Sequence, residues 1–224
     1  MQEKSLYNMN TASAESVLAT NKVLKNTYLL LGMTLAFSAV TAGVSMAMGL
    51  SHGMGLILSL VGFGLLFVVN RMADTSKGLL AIFAFTGVMG AALGPMLNHY
   101  LSMPGGPALV MQALGGTALV FFGLSAYALT TRKDFSFMGG FLIVGLLIAV
   151  VASIANIFLG IPALSLTISS AIVLIMSGLI LFDTSRIIHG GETNYIRATV
   201  SLYLNIYNLF VHMLSLLTAL GGDD

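Results

Sequence analysis

Cysteine and tryptophan are absent from this chain, and charge nearly so: of 224 residues only 8% are Asp, Glu, Lys or Arg. Without cysteine there is no disulfide and no thiolate metal site. Without tryptophan, no indole belt marks where spans would meet a bilayer surface. A soluble domain carries roughly 25% charged residues, so this chain cannot build an ordinary water-wetted surface. Its net charge of +1 leaves no electrostatic footprint for nucleic acid. Catalytic signatures are missing as well. There is no H-E-x-x-H, no phosphate-binding glycine loop and no G-x-S-x-G, and "GLSAY" at 123–127 fails the last pattern at its final position. Neither an enzyme nor a cofactor is expected.

What is present is apolar. Hydrophobic residues make up 57% of the chain, and the mean hydropathy is +0.97. A spanning helix needs about 20 mainly apolar residues. Seven runs qualify between polar breaks, at roughly 28–50, 54–70, 78–97, 108–131, 137–159, 164–185 and 197–220. Turn chemistry separates them: "SHG" at 51–53, "NHYLSMPGGP" at 98–107, "GIP" at 160–162 and "HGGETN" at 189–194. Pro95, inside "FTGVMGAALGPML" (85–97), predicts a kink. The fold class is therefore an all-α membrane protein, a bundle of seven transmembrane helices with the seventh central. It divides into a polar N-terminal tail (1–27), the membrane domain (28–220) and a short end (221–224). The first run is too long for a signal-peptide core, so it reads as a retained span. Residues 1–12 read as disordered, with a short surface helix from Ser13 onward.

Basic residues set the orientation. Lys4, Lys22 and Lys25 precede the first run. Arg71 and Lys77 lie between the second and third, Arg132 and Lys133 between the fourth and fifth, Arg186 and Arg197 between the sixth and seventh. The alternate connections and the terminal "GGDD" carry none. By the positive-inside rule the N-terminus is cytoplasmic and the C-terminus lies on the opposite, periplasmic side of an inner membrane. Gly90-x-x-x-Gly94, Gly62-x-Gly64 and Gly115-Gly116 are placed for close helix contact.

Asp183 reads as the one acidic residue within or bordering a span. A carboxylate in hydrocarbon costs at least ~2.5 kcal/mol, so such groups face the interior and find partners. Asp183 either pairs with Arg186 one turn on, at the interface, or points inward as a pH-responsive group. On the seventh span Ser201, Asn205, Asn208 and His212 fall on one helix face. Such a stripe avoids lipid and serves either as interhelical hydrogen-bonding glue or as the lining of a polar path. His52, His99 and His212 gather toward the outer side and His189 toward the inner. No two share ligand spacing, so no metal site is expected.

"FTGVMGAALGPML", "GGTALVFFGLSAYALTTRKDFSFMGG" (115–140), "NIF" (156–158) and "FDTSRIIHGGETNYIRATVSLYLNIYNLF" (182–210) resemble the Bax inhibitor 1 family, most nearly its bacterial YccA-like branch. The resemblance implies an inner-membrane protein that binds and restrains an FtsH-type AAA protease and its associated membrane proteins, with the cytoplasmic tail as handle. The alternative it implies is a pH-sensitive calcium or cation leak channel. There an aspartate of span six pairs with one of span seven, and an arginine of span two holds the closed state. These positions correspond to Asp183, Asn205 and Arg71. Asn205 departs from the pattern: an amide bonds a carboxylate but shares no proton with it. Calcium prefers several hard oxygens, so Asp183 alone is a weak calcium candidate. The loss of the second carboxylate favours the protease-modulator reading. Counted inward from Arg197, Asn205 lies ~12 Å deep, whereas Asp183 is only ~4.5 Å from Arg186. The pair meets only if the two helices are offset along their axes.

Overall fold

In a computed structural model, the backbone is described for residues 2–221 and the side chains for residues 18–221. The terminal aspartates and the side chains of the proposed tail handle lie outside the described residues. Seven helices are long and apolar enough to cross a membrane. They are α1 (Gln2–Ala47), α2 (His52–Met72), α3 (Gly78–Leu101), α4 (Gly106–Thr131), α5 (Gly139–Leu159), α6 (Pro162–Ile188) and α7 (Tyr195–Gly221). No strand occurs among the described residues.

α1 is one continuous helix where disorder over 1–12 was expected, and residues 2–31 contain no glycine or proline to break it. Its spanning part is Leu18–Ala47. It ends in a Schellman motif around Gly49 (φ +63°), with Leu50 N–H donating to Ser45 O at 3.4 Å and Gly49 N–H to Met46 O at 3.0 Å. Ser51 caps α2 by accepting from Met54 N–H at 3.3 Å. Pro107 and Pro162 open α4 and α6, where a missing N–H costs nothing. Pro95 does not end α3, which continues to Leu101.

α7 packs against α1, α3, α4 and α6, while α2 packs on α3 and α5 on α6 in an outer tier. Burial follows this order. Leu202, Tyr203, Leu209 and Leu214 of α7 are all but inaccessible, whereas Phe67 of α2 and Phe141 and Phe158 of α5 lie open on the bundle's skin. Helices apolar all round suit contact with lipid, and the helix carrying the polar stripe is enclosed. Small residues set the closest approach. A Cβ on Gly90 would lie 2.2 Å from Ser38 O, and one on Gly94 equally close to Ser45 Oγ, so α3 meets α1 through this pair. Gly62 and Gly116 lie against methionines 89 and 213, while Gly64 and Gly115 face open space.

Candidate functional site

The inner face of α6 repeats at Ile172, Met176, Ile180, Asp183 and Ile187, all buried. That spacing is the helical stripe that meets a core, and it carries Asp183 inward. On α7, Leu202, Asn205 and Leu209 follow the same rule. The two stripes bring Asn205 Nδ2 to 2.8 Å from Asp183 Oδ2, and the two residues are 5% and 9% exposed. α6 continues five residues past Asp183, about 7.5 Å, whereas ten residues, about 15 Å, separate Tyr195 from Asn205. α7 therefore starts farther out than α6 ends, and the 189–194 connection spans that offset.

Arg186 completes the cluster. Its Nη1 lies 3.9 Å from Asp183 Oδ1 and its Nη2 3.6 Å from Glu192 Oε2, and the guanidinium carbon sits 5.5 Å from the Phe182 ring centre. One cation is thus shared between a buried carboxylate and one in the turn. Asp183 thus makes two contacts, with Arg186 at i,i+3 and with Asn205 of α7. No ion pair or side-chain hydrogen bond of Arg71 occurs among the described residues, so no bond joins it to this cluster.

The rest of the stripe divides. His212 Nδ1 lies 3.2 Å from Ser169 Oγ of α6, beside a cavity lined by Ser153, Asn156, Ser165 and Ser169. Asn208 donates to Leu204 O of its own helix at 2.8 Å. Ser201 is half-buried and makes no side-chain hydrogen bond among the described residues. His52 and His99, far apart in sequence, have ring centres 5.7 Å apart. Among the described residues no three His, Cys, Asp or Glu side chains gather as a metal site.

A second polar cluster holds the start of α7, and it corrects the reading of Asp183 as the lone acid bordering a span. α2 extends to Met72, which places Asp74 at its end. Asp74 pairs with Arg197 and accepts from Asn194 Nδ2 at 2.8 Å. Asn194 also donates to Ala73 O, while its Oδ1 caps α7 by accepting from Ile196 N–H at 2.8 Å and Arg197 N–H at 3.1 Å. The hydrogen bonds from Asn194 and Arg197 hold the Asp74 carboxyl below its ordinary range. Asp134, beyond α4, is lowered by the backbone N–H of Ser136. Sequence reasoning missed Tyr203 as well. Its buried hydroxyl lies 2.7 Å from Ser38 Oγ and ties α7 to α1. The available signal for Asp74 was its place three residues after Arg71, just past an apolar run.

Comparison with known proteins adds a family and close relatives. The family model described as "Inhibitor of apoptosis-promoting Bax1" matches residues 20–222. "Modulator of FtsH protease YccA" of Escherichia coli K12 is 58% identical over 209 residues, covering 93% of this chain and 94% of that protein. "Inner membrane protein YccA" of Escherichia coli O6:H1 matches to the same extent. An "Uncharacterized membrane protein" of Vibrio cholerae is 54% identical over 215 residues, 96% of each chain.

Proposed function

Since the chain belongs to the Bax1-I family of membrane proteins, we propose that it is an inner-membrane regulator that binds and restrains an FtsH-type AAA protease. The observation that carries this reading is the relative named as a modulator of FtsH protease, 58% identical across 93% of this chain. The orientation proposed with it, N-terminus cytoplasmic and C-terminus periplasmic, rests on the nine basic residues and their alternation between connections. The tail then lies on the side where an AAA ring would engage it, ahead of the spanning part of α1. Deleting residues 2–17 should abolish turnover of this protein by the protease and leave it inserted in the membrane. Unchanged turnover in a pulse-chase experiment would exclude the tail as handle.

A second reading is a pH-sensitive calcium or cation leak. It is favoured by the buried Asp183 with its polar neighbours Asn205 and Arg186, and by the His212–Ser169 contact farther along the α6–α7 seam. Flux into liposomes should then change with pH, and Asp183→Asn should remove that dependence. Absence of flux at every pH would end it. Asn205 brings no second charge to the site, which is why this reading stands second.

A further inference from the structure

We propose that the open cavity bordered by α1 and the ends of α4 and α6, at the basic end of the bundle, binds the phosphate of an anionic phospholipid headgroup. The cavity holds about 300 Å³ and is lined by Thr20, Asn21 and Leu24 of α1, Leu129 and Arg132 at the end of α4, and Ile188, His189 and Gly190 at the end of α6. That volume is at the lower end for small-molecule sites, roughly 300–1,000 Å³. It suits a phosphodiester and its glycerol rather than a folded partner. Because α4 and α6 both terminate here, the cavity lies at the depth where hydrocarbon gives way to headgroups.

Its walls divide by chemistry. Leu24, Leu129 and Ile188 supply apolar surface, and Thr20, Asn21, Arg132 and His189 supply polar groups. Arg132 is the decisive member. Of the other three arginines at this end of the bundle, Arg186 meets Asp183 and Glu192 and Arg197 meets Asp74, while Arg71, also without an ion pair among the described residues, does not line the cavity. Arg132 has no ion pair among the described residues. The carboxylate that follows it closely in sequence, Asp134, is turned to the Ser136 N–H at 2.9 Å. A planar guanidinium at a bilayer surface, with no carboxylate partner among the described residues, matches phosphate oxygens in a fork.

The backbone beneath the cavity is fixed. Arg132 has φ +50°, its N–H donates to Ala128 O at 2.9 Å, and its carbonyl lies 3.1 Å from His189 Nε2. His189 Nδ1 lies 2.9 Å from Ser185 O. Ser185 Oγ also lies 3.3 Å from that Nδ1, so contacts at both nitrogens hold the ring in place at the rim. Lys22, Lys25 and Lys133 stand near in sequence, and basic side chains at a bilayer surface raise the local concentration of anionic lipid.

The test is a titration of the purified full-length chain in neutral detergent, read by native mass spectrometry. The probes are short-chain phosphatidylglycerol, the matching phosphatidylcholine and inorganic phosphate. Phosphatidylglycerol should bind at least tenfold more tightly than phosphatidylcholine. Arg132→Gln should erase about tenfold of that preference, the equivalent of one charge-assisted hydrogen bond. Asn21→Leu should weaken phosphatidylglycerol binding, whereas Lys133→Gln, whose side chain does not line the cavity, should leave it within threefold of the parent. Equal binding of inorganic phosphate and phosphatidylglycerol supports the anion site and assigns it to the free ion rather than the lipid. The proposal is overturned if phosphatidylglycerol and phosphatidylcholine bind alike, or if Lys133→Gln costs as much as Arg132→Gln.

Discussion

Truncating Asn205 strips the buried Asp183 carboxylate of the one hydrogen-bond donor that another helix offers it among the described residues, and the cost reports whether that carboxylate is charged. The bond is 2.8 Å long, both residues are nearly inaccessible, and the next cation, on Arg186, stands off at 3.9 Å and is itself 37% exposed. Hydrogen bonds between neutral groups of membrane helices average ~0.6 kcal/mol, whereas those to an ionised group contribute roughly 1.5–3 kcal/mol. The half-exposed guanidinium, screened by solvent, offsets little of the loss. A double-mutant cycle of Asp183→Leu, Asn205→Leu and the pair, measured by reversible unfolding in mixed micelles at neutral pH, isolates the coupling. It should be about 2 kcal/mol, with the double variant more stable than the sum of the single changes predicts. A coupling near ~0.6 kcal/mol would mean a neutral carboxyl. Strict additivity would refute the bond as an interaction and with it any latch between α6 and α7.

The clamp at the start of α7 gives a pH prediction. The Asp74 carboxyl is held below its unfolded value of 3.8, so its contribution is complete above that value and disappears as pH falls through the folded one. The gap in thermal stability between the parent and Asp74→Asn should therefore be constant near neutrality and close in acid; a gap that widens in acid would contradict the assignment. Asn194→Ala removes the cap of α7 together with the bonds to Ala73 and Asp74, and should cost about 1–2 kcal/mol by chemical denaturation. Gly90→Ala forces a methyl group against Ser38 O and should cost about 1–3 kcal/mol. Gly115→Ala, which meets open space, should leave the midpoint unchanged or slightly raised.

Much of the fold was legible because a bilayer imposes simple requirements. Seven apolar runs became seven helices; apart from the start of α1, their ends moved by a few residues, as where the caps Ser51 and Asn194 overrode hydropathy. The enclosure of α7 was legible from its polar stripe, since four polar side chains on one face do not suit lipid. The continuity of α1 was misread because polarity was taken for disorder, although nothing in residues 2–31 breaks a helix. Asp74 was passed over because its partners, Asn194 and Arg197, lie on the far side of four intervening helices in the chain.

By itself the sequence determined that the chain spans a membrane, how often, and which helix cannot face lipid, because hydropathy and helical period are local properties. It also supplied the chemistry of the Asp183 pair, an acid and an amide in place of two acids. Only the tertiary structure decided that the two meet. The axial offset of α6 and α7 depends on how far each helix runs past its polar residue and on the path of the 189–194 connection. Tertiary packing also decided that Arg186 joins Asp183 to Glu192, that Arg71 makes no bond to them, and that Arg132 lies beside a cavity with no carboxylate partner among the described residues. Pairings of this kind depend on the relative placement of separate helices, which no single stretch of sequence specifies.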